Sequence, residues 1–412
     1  MSETFYHNLS NGVQIVHRTT HSPVVYVGMM VGAGTRHEAP NENGMAHYIE
    51  HCVFKGTQHY TARHLINHIE GIGGEINAYT TKEETTFYSA TLRQHFRSTL
   101  HLLADMVLHP TFNKKETDKE VAVILDEIES YNDSPSELIY DDFENLVFEG
   151  SSLAMPILGT KKTLKHISKS PDIALDWMKK HYRPERIVLF VLGDVSPQQV
   201  LKSAERELSS LNPSSCEEAL TPPFRERTDV GISRTYRRHT HQTHIMLGSY
   251  AYPIGHPKQL TMYLLNNILG GGSMSSRLYL SLREKYGLVY NIDSQAVPLS
   301  DTGYWNIYLA CEPQHKDQCL ELCHKELKQL RDTTLTSSQM QRALRQLEGQ
   351  MAIAAENQEN NALAMAKQML YHHHAPAWQE TFARIQTITS TQLQDVANEV
   401  FAPEKIYTLQ YD

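Results

Sequence analysis

Two histidines and a glutamate lie close together in the stretch GMAHYIEHCVFKGT, residues 44–57. His47 and His51 are four positions apart, and on a helix such residues project from the same face. Both imidazoles could then reach one metal ion, with Glu50 beside them. Because a chain with 23 histidines also produces such a string by chance, the spacing alone is only a hypothesis.

The chemistry that this stretch favours is hydrolysis assisted by zinc. Catalytic zinc needs three protein ligands, an open position for water, and a carboxylate that takes the proton of that water. His47 and His51 would supply two ligands. Glu50 is the candidate general base, since the order H-x-x-E-H is the inverse of the commoner H-E-x-x-H and is the inverzincin signature.

The third ligand must come from elsewhere, and a carboxylate on another helix is the natural candidate. The segment NKKETDKEVAVILDEIESYNDSPSE contains Glu120 and Glu127, seven apart and therefore on nearly one helical face. Taken alone, this pattern is better explained as an acidic, solvated helix surface.

Composition limits the class of protein. The chain has 412 residues, 40% hydrophobic and 21% charged, which predicts a soluble globular protein with more than one core. A net charge of −9 argues against a nucleic-acid binder. We find no signal-peptide pattern and no apolar run of membrane-spanning length, so we expect no membrane partner and a cytoplasmic location.

Five cysteines, an odd number, fit a reducing compartment. Cys311, His315, Cys319, Cys323 and His324 could form a second metal site. The alternative is a buried helix stripe in which free cysteine behaves as a small apolar residue, and this is the interpretation that we favour.

The chain contains two similar halves. DIALDWMKKHYRPERIVLFVLGDV and TSTQLQDVANEVFAPEKIYTLQYD each predict a helix, an aromatic-x-Pro-Glu-basic-Ile turn and an apolar strand. Upstream, TTFYSATL and TGYWNIYLAC predict strands, and each is followed by a helix pattern.

A segment with three prolines, LNPSSCEEALTPPFRERTD, separates the halves and reads as a linker. We therefore predict a domain at residues 1–212, a linker at 213–228 and a second, homologous domain at 229–412. The fold class is α+β, with two structurally similar domains, each a largely antiparallel sheet with helices packed on it.

Taken together, these motifs carry a family resemblance. The stretch GMAHYIEHCVFKGT, followed by GGEINAYT and by Glu127, closely resembles the pitrilysin and insulysin type of zinc peptidase. It is most similar to the short-chain bacterial members and the catalytic subunit of mitochondrial processing peptidase, over essentially the full length.

The resemblance implies roles for individual residues. His47, His51 and Glu127 would bind one zinc ion per chain, and Glu50 would be the general base. Glu120 would support the site from behind the ligands. In GGEINAYT, Asn77 and Ala78 would hold the backbone of an extended substrate, although Asn77 is equally explained as a turn residue.

In the second half, LGGGSMSSRLYLSLREKYGLVYNI resembles the glycine-rich loop and the Arg/Tyr pair of the family. Arg283 and Tyr290 would help to hold substrate, and Tyr290 would donate a hydrogen bond to the tetrahedral oxyanion. The alternative, a phosphate loop, lacks the Lys-Ser/Thr ending.

The resemblance also implies a chamber for peptides, formed by two halves of about this size. Since both sets of residues occur in one chain, we expect a homodimer, with a paralogous partner chain as the alternative. The predicted function is zinc-dependent endopeptidase activity on oligopeptides or unfolded segments. The rival function is that of a non-catalytic binding or assembly subunit with the same fold.

Overall fold

The computed structural model describes residues 4–212, 223–226 and 231–412. The predicted linker at 213–228 therefore lies outside the described residues, apart from 223–226. The chain forms two compact units, of which the first comprises Met1–Glu129, Met155–Pro222 and Ala354–Pro376. The second comprises Ser130–Ala154, Pro223–Ile353 and Ala377–Asp412.

The first unit is built on a six-stranded sheet with the order β1-β2-β6-β3-β5-β4. Its strands are β1 (Thr4–Asn8), β2 (Gln14–Arg18), β3 (Val24–Val31), β4 (Glu75–Thr80), β5 (Thr85–Leu92) and β6 (Ile187–Leu192). β2 and β6 are parallel, and the other neighbours are antiparallel.

Helices cover both faces of this sheet, which explains the uninterrupted apolar run of β6. Ile187, Leu189 and Val191 belong to one core cluster, and Val188 and Phe190 belong to another on the opposite face. The helices assigned to this unit are α1 (Met45–Val53), α2 (Ala62–Glu70), α3 (Phe96–Leu108), α4 (Lys114–Asn132), α6 (Lys161–Ile167), α7 (Pro171–His181), α8 (Pro197–Leu208) and α12 (Gln358–His372).

The second unit has a five-stranded sheet with the order β7-β11-β8-β10-β9. Its strands are β7 (Ser233–Tyr236), β8 (Thr243–Tyr250), β9 (Val289–Pro298), β10 (Gly303–Cys311) and β11 (Tyr407–Tyr411). Only the β7–β11 pair among these is parallel. Its helices are α5 (Pro135–Val147), α9 (Gln259–Leu269), α10 (Lys316–Asp332), α11 (Ser337–Ala355), α13 (Trp378–Ile385) and α14 (Ser390–Val400).

The predicted fold class is confirmed, and the repeated pattern of the two halves appears as repeated structure. β5 is followed by a short 3-10 turn and α3, as β10 is followed by a 3-10 turn and α10. Near the end of each half, α7 leads through Pro184–Arg186 into β6, and α14 leads through Pro403–Lys405 into β11.

Two segments do not pack with their own half of the sequence, but in the unit formed mainly by the other half. Residues 354–376 belong to the first unit, where Met365 and Met369 of α12 join the cluster that contains Phe190. Residues 130–154 belong to the second unit, where Ile139 and Phe143 of α5 pack in a cluster with strand residues of the second sheet. The division into domains at 1–212 and 229–412 describes the two halves of the sequence and stays a prediction. The two compact units do not follow it at these two segments.

Within the described residues, no helix combines the length and the apolar character needed to cross a membrane.

Candidate metal centre

Helix α1 carries three of the predicted site residues, and its first turn is fixed from outside the helix. Gly44, at the N-cap, has a φ of 91° and no side chain to cap the helix. A Cβ there would lie 2.8 Å from the Cα of Gly159, so the turn has no room for a larger residue. The buried carboxylate of Glu38 accepts hydrogen bonds from Gly44 N and Ala46 N, both at 2.8 Å, and so replaces the missing cap.

The structure brings His47, His51 and Glu127 together. Their ligand atoms all lie within 4.8 Å of one another. The Oε2 atom of Glu127, on α4, is 3.6 Å from Nε2 of His47 and 3.6 Å from Nε2 of His51. The carboxylate that sequence analysis placed seven positions after Glu120 thus faces both imidazoles.

The protonation of the two histidines differs because their surroundings differ. Burial, and then the neighbouring His51, lowers the pKa of His47 to about 4, so this ring is neutral at neutral pH. Burial also lowers the pKa of His51, but interactions with the carboxylates of Glu127 and Glu120 outweigh it and leave the pKa raised. The same interaction with His51 lowers the pKa of Glu127.

This donor set fits zinc. Bonds of about 2.0–2.1 Å in a tetrahedral site place neighbouring ligand atoms about 3.3–3.4 Å apart, and the two separations of 3.6 Å are close to that value. Two imidazole nitrogens and one carboxylate oxygen leave a fourth position for water, as catalytic zinc requires. Nε2 of His47 is the nitrogen that faces Glu127, and its buried Nδ1 has no hydrogen-bond partner among the described residues.

Glu50 lies on the same helix but is held differently. The Oγ1 atom of Thr80, at the end of β4, donates a 2.6 Å hydrogen bond to Oε2 of Glu50. Burial raises the pKa of Glu50, while the Thr80 hydrogen bond and the charge of His51 act against it. The hydrogen bond from Thr80 thereby fixes the orientation of the Glu50 carboxylate.

Glu120 lies behind His51. Its buried carboxylate places Oε2 3.2 Å from Nδ1 of His51 and Oε1 2.8 Å from Nζ of Lys55. A carboxylate that accepts the Nδ1 proton fixes the tautomer in which Nε2 is free to bind a metal. Lys55, four residues after His51, compensates the charge of Glu120.

Asn77 and Ala78 lie on β4, which is an edge strand of the first sheet. β4 pairs with β5 on one side, with Asn77 opposite Tyr88 and Ala78 opposite Phe87. Asn77 is thus a strand residue and not a turn residue. Thr80 of the same strand contacts Glu50, so the exposed strand edge begins next to the candidate base.

Arg283 and Tyr290 lie together in the second unit. Arg283, in the π-helical segment Tyr279–Lys285, donates a 2.9 Å hydrogen bond from Nη1 to the carbonyl oxygen of Tyr290. Its guanidinium lies 5.0 Å from the ring centre of Tyr290 and 4.9 Å from that of Tyr279. The Tyr290 side chain is 73% exposed. Both residues line a groove with Gly270, Gly272 and Ser273 of the glycine-rich loop.

Some residues at these sites were missed by sequence analysis. Thr80 lies inside the quoted GGEINAYT and Lys55 inside HCVFKGT, but only the fold shows that they contact Glu50 and Glu120. A further cluster of His59, Asp105 and His109 has no motif that would reveal it. The structure does not support a metal site in the cysteine-rich segment, because it is not among the groups of described residues that could hold an ion. Cys319 and Cys323 are buried in the core, in agreement with the favoured interpretation of a buried helix stripe.

Comparison with known proteins gives the family. Residues 14–161 match the family described as insulinase, peptidase family M16, and residues 170–347 match the peptidase M16 inactive domain. An uncharacterized zinc protease of Bacillus subtilis, YmxG, is 31% identical over 397 residues, covering 96% of this chain and 95% of that protein. The chain therefore belongs to the M16 family of zinc proteases, as the resemblance implied.

More distant relatives extend the comparison. The beta subunit of mitochondrial processing peptidase from Bos taurus is 27% identical, over 95% of this chain and 80% of that protein. A crystal structure of a Helicobacter pylori protease superimposes with a TM-score of 0.91 at 21% identity, covering 100% of this chain and 99% of the other. A peptidase M16 inactive domain structure from Pseudomonas fluorescens gives 0.89 at 19% identity, over 99% and 97%. These structures support the fold.

Proposed function

We propose that the chain is a zinc-dependent endopeptidase that cleaves oligopeptides or unfolded segments in the cytoplasm. The observation that carries this proposal is the convergence of His47, His51 and Glu127 beside a carboxylate that does not join them, Glu50. Three donors and a separate base are the parts that hydrolysis requires.

Zinc in this position would polarise the peptide carbonyl and lower the pKa of water. Glu50 then takes the proton of the attacking water on its free Oε1 and passes it to the leaving amine. Thr80 keeps Oε2 of Glu50 occupied, so that the carboxylate has one orientation. Glu120 holds the proton of His51 at Nδ1, which keeps Nε2 available.

Substrate would bind along β4. An edge strand has unpaired backbone N–H and C=O groups, to which an extended peptide can add as a further strand. Asn77 and Ala78 are the residues that we assign to this contact. Main-chain pairing of this kind requires an extended, unfolded peptide but no particular side chain. It therefore supports a broad substrate class.

We further propose a homodimer in which Arg283 and Tyr290 of one chain serve the metal centre of the other. Both sets of residues occur in this chain, which supports two complete sites per dimer. The exposed hydroxyl of Tyr290 would donate to the oxyanion of the tetrahedral intermediate. A paralogous partner chain is the alternative arrangement, and the beta subunit relative keeps it open.

The rival function is a non-catalytic binding or assembly subunit. Purified protein incubated with an unstructured, internally quenched peptide distinguishes the two. We expect about one zinc per chain at this centre, cleavage inside the peptide, loss of cleavage with a chelator, and recovery when zinc is restored. Zinc-loaded protein that binds the peptide without cleaving it would establish the rival function.

A further inference from the structure

A second cluster of metal-binding side chains lies in the first unit and shares no residue with the centre described above. His59, Asp105 and His109 each place a ligand atom within 4.8 Å of the others. We call it the His59 cluster. Its histidines come from the connection between α1 and α2 and from the residue that ends α3.

One carboxylate oxygen lies between the two imidazoles. Oδ1 of Asp105 is 2.6 Å from Nδ1 of His59 and 3.1 Å from Nδ1 of His109. The Asp105 side chain is 5% exposed, whereas those of His59 and His109 are 58% and 43% exposed. The carboxylate is thus buried beneath two imidazoles that are themselves partly exposed to solvent.

The charge of Asp105 lacks a permanent partner. Among the described residues, its ion-pair partners are the same two imidazoles, which are cationic only when protonated. Thr57 donates its hydroxyl to Oδ2 but brings no charge. Burial of a carboxylate is costly unless a cation pairs with it, and a bound divalent ion would supply that cation.

Backbone contacts join the segments that carry the three side chains. His109 N donates to Asp105 O, and Gln58 N donates to His109 O, each at 2.9 Å. Thr57 forms an isolated bridge with Pro110. These backbone contacts fix the segments that carry the donors, and the side chains already meet at Asp105. Less order must therefore be imposed when an ion binds, which reduces the entropic cost of binding.

The separations suit an imidazole–carboxylate metal site. Ligand atoms at about 2.0–2.1 Å from an ion lie about 2.9 Å apart at right angles and about 3.4 Å apart in a tetrahedron. The His109 to Asp105 separation of 3.1 Å is inside this range. The His59 to Asp105 separation of 2.6 Å must widen slightly, and His59 is the more exposed of the two rings.

We propose that the His59 cluster binds a second divalent ion of the zinc class, with Nδ1 of His59, Nδ1 of His109 and Oδ1 of Asp105 as ligands and water completing the sphere. Imidazole and carboxylate donors suit zinc, nickel and copper better than magnesium or calcium. The ion fastens the connection that follows α1 to the end of α3. It binds more weakly than zinc at His47, His51 and Glu127, because two of its ligands are exposed.

The test uses tag-free protein and zinc as the probe. After equilibrium dialysis against excess zinc, we expect two ions per chain for the native sequence and one for His59→Ala/His109→Ala. The matched control is His64→Ala/His68→Ala, which removes two imidazoles from the neighbouring helix α2 and should keep both ions. Peptide cleavage should be unchanged in both double variants at zinc concentrations that fill only the first centre.

A second measurement separates binding from folding. In a His51→Ala background, which impairs the first centre, excess zinc should raise the melting temperature, since a ligand at 100 times its Kd raises the folded-to-unfolded ratio about 100-fold. Addition of His59→Ala should abolish most of that rise while the melting temperature in chelator stays the same. Should the double variant fail to fold, this single change at an exposed residue still provides the test.

Retention of the second ion in His59→Ala/His109→Ala, or its loss in the α2 control, would overturn the proposal. A native chain that binds no second ion would also overturn it, and would show a cluster held by hydrogen bonds alone. These outcomes are independent of the proposed peptidase function, because they depend on other residues.

Discussion

Glu50 and Glu127 both lie near His51, but their side chains make different contacts. Oε2 of Glu127 faces two Nε2 atoms at 3.6 Å, which is a ligand position. Oε2 of Glu50 accepts a hydrogen bond from the Thr80 hydroxyl, which orients the carboxylate for its proposed role in proton transfer. These different contacts support the proposed roles of Glu50 as the base and Glu127 as the ligand.

The first prediction separates these roles. Glu50→Gln should keep zinc and fold but lose roughly 10³-fold in kcat, because the amide cannot take a proton. Glu127→Gln, its matched control, should lose zinc as well as activity. Zinc content by atomic spectroscopy and kcat on a quenched peptide are the measurements, and equal zinc loss in the two variants would contradict the assignment.

A second residue-scale feature concerns acid stability. Burial lowers the pKa of His37 and of His181 to about 3 each. The charge of Arg186 lowers both pKa values further, and His37 also lowers the pKa of His181. Lys180 and Arg183 add positive charge near His181. Both ring nitrogens of His181 lack a hydrogen-bond partner among the described residues. The carbonyl oxygen of Gly34, 3.2 Å from Nδ1 of His37, favours protonation of that ring, but burial and the charge of Arg186 outweigh it.

The second prediction follows from the sign of these shifts. Because the folded pKa lies below the unfolded value of about 6.5, the unfolded chain binds protons first, and stability falls as pH drops from about 6.5 toward 3. Between pH 7 and 5 each histidine should remove about 2 kcal/mol. Urea unfolding of metal-free protein should therefore show a weaker pH dependence in His181→Leu and no change in the exposed control His21→Gln.

At the residue scale, the sequence allowed identification of the residues of the H-x-x-E-H motif and the helix that carries Glu120 and Glu127. Helical spacing alone predicts that His47 and His51 share a face. It does not predict that Thr80 contacts Glu50, because that contact depends on how β4 lies against α1. The His59 cluster escaped for the same reason, since residues 59, 105 and 109 meet only in three dimensions.

At the scale of the element, the start of α1 is the decisive feature. The helix has no side-chain cap of its own. Instead Glu38, which precedes Gly44 by six residues and Ala46 by eight, accepts hydrogen bonds from the backbone N–H groups of both. Asn43 adds a 3.2 Å hydrogen bond to the same carboxylate. The positions of His47 and His51, the proposed zinc ligands, thus depend on a residue outside their motif.

The third prediction tests this dependence. Glu38→Ala leaves two N–H groups without an acceptor and should cost about 2–4 kcal/mol of unfolding free energy. It should also weaken zinc retention roughly tenfold, as loss of outer support does at metal sites. Glu42→Ala is the control, because the side chain of Glu42 is near the same turn but accepts a hydrogen bond from the exposed Ala39 N. Its loss should change the unfolding free energy by no more than about 0.5 kcal/mol.

Chemical denaturation and competition with a chelator measure the two effects of Glu38→Ala. If Glu38→Ala lost stability but kept zinc as firmly as the native chain, the proposed link between the cap and the zinc ligands would be wrong.

The elements themselves were predictable, because strands β5 and β10 and the helices after them have clear apolar periods. The cap was not, since nothing local marks Glu38 as a partner of Gly44.

At the scale of the whole molecule, the sequence predicted two similar units but not the exchange of segments between halves. An apolar helix face shows that a helix is buried, but it does not show on which sheet. α12 and α5 have such faces, and each packs in the unit of the other half. The order of elements along the chain thus suggested contiguous domains, whereas each compact unit is made of three separate stretches of the chain.

The fourth prediction addresses the proposed dimer. Glu50→Gln and Tyr290→Phe should each be weakly active, because one lacks the base and the other an oxyanion donor. In co-expressed protein, roughly half the dimers are mixed and each regains one of two sites, so activity should recover to about a quarter of the native value. Differently tagged chains allow mixed dimers to be isolated and assayed.

Two controls make the result decisive. Mixing the two variants after purification, without exchange of chains, should give no recovery. Isolated mixed dimers with no more activity than the single variants would mean that Tyr290 acts within its own chain or that the dimer does not share its sites.

The packing of α12 on the first sheet has a consequence for biosynthesis. Ala362, Met365, Ala366 and Met369 cover the face formed by residues such as Val188 and Phe190, and Lys367 and Tyr371 bond the buried carboxylate of Glu84. The ribosome makes these partners more than 150 residues after β6. Until residue 376 has emerged from the ribosomal exit tunnel, the nascent chain exposes that apolar face. The first unit is therefore completed late in translation, and its apolar face needs protection from other chains until then.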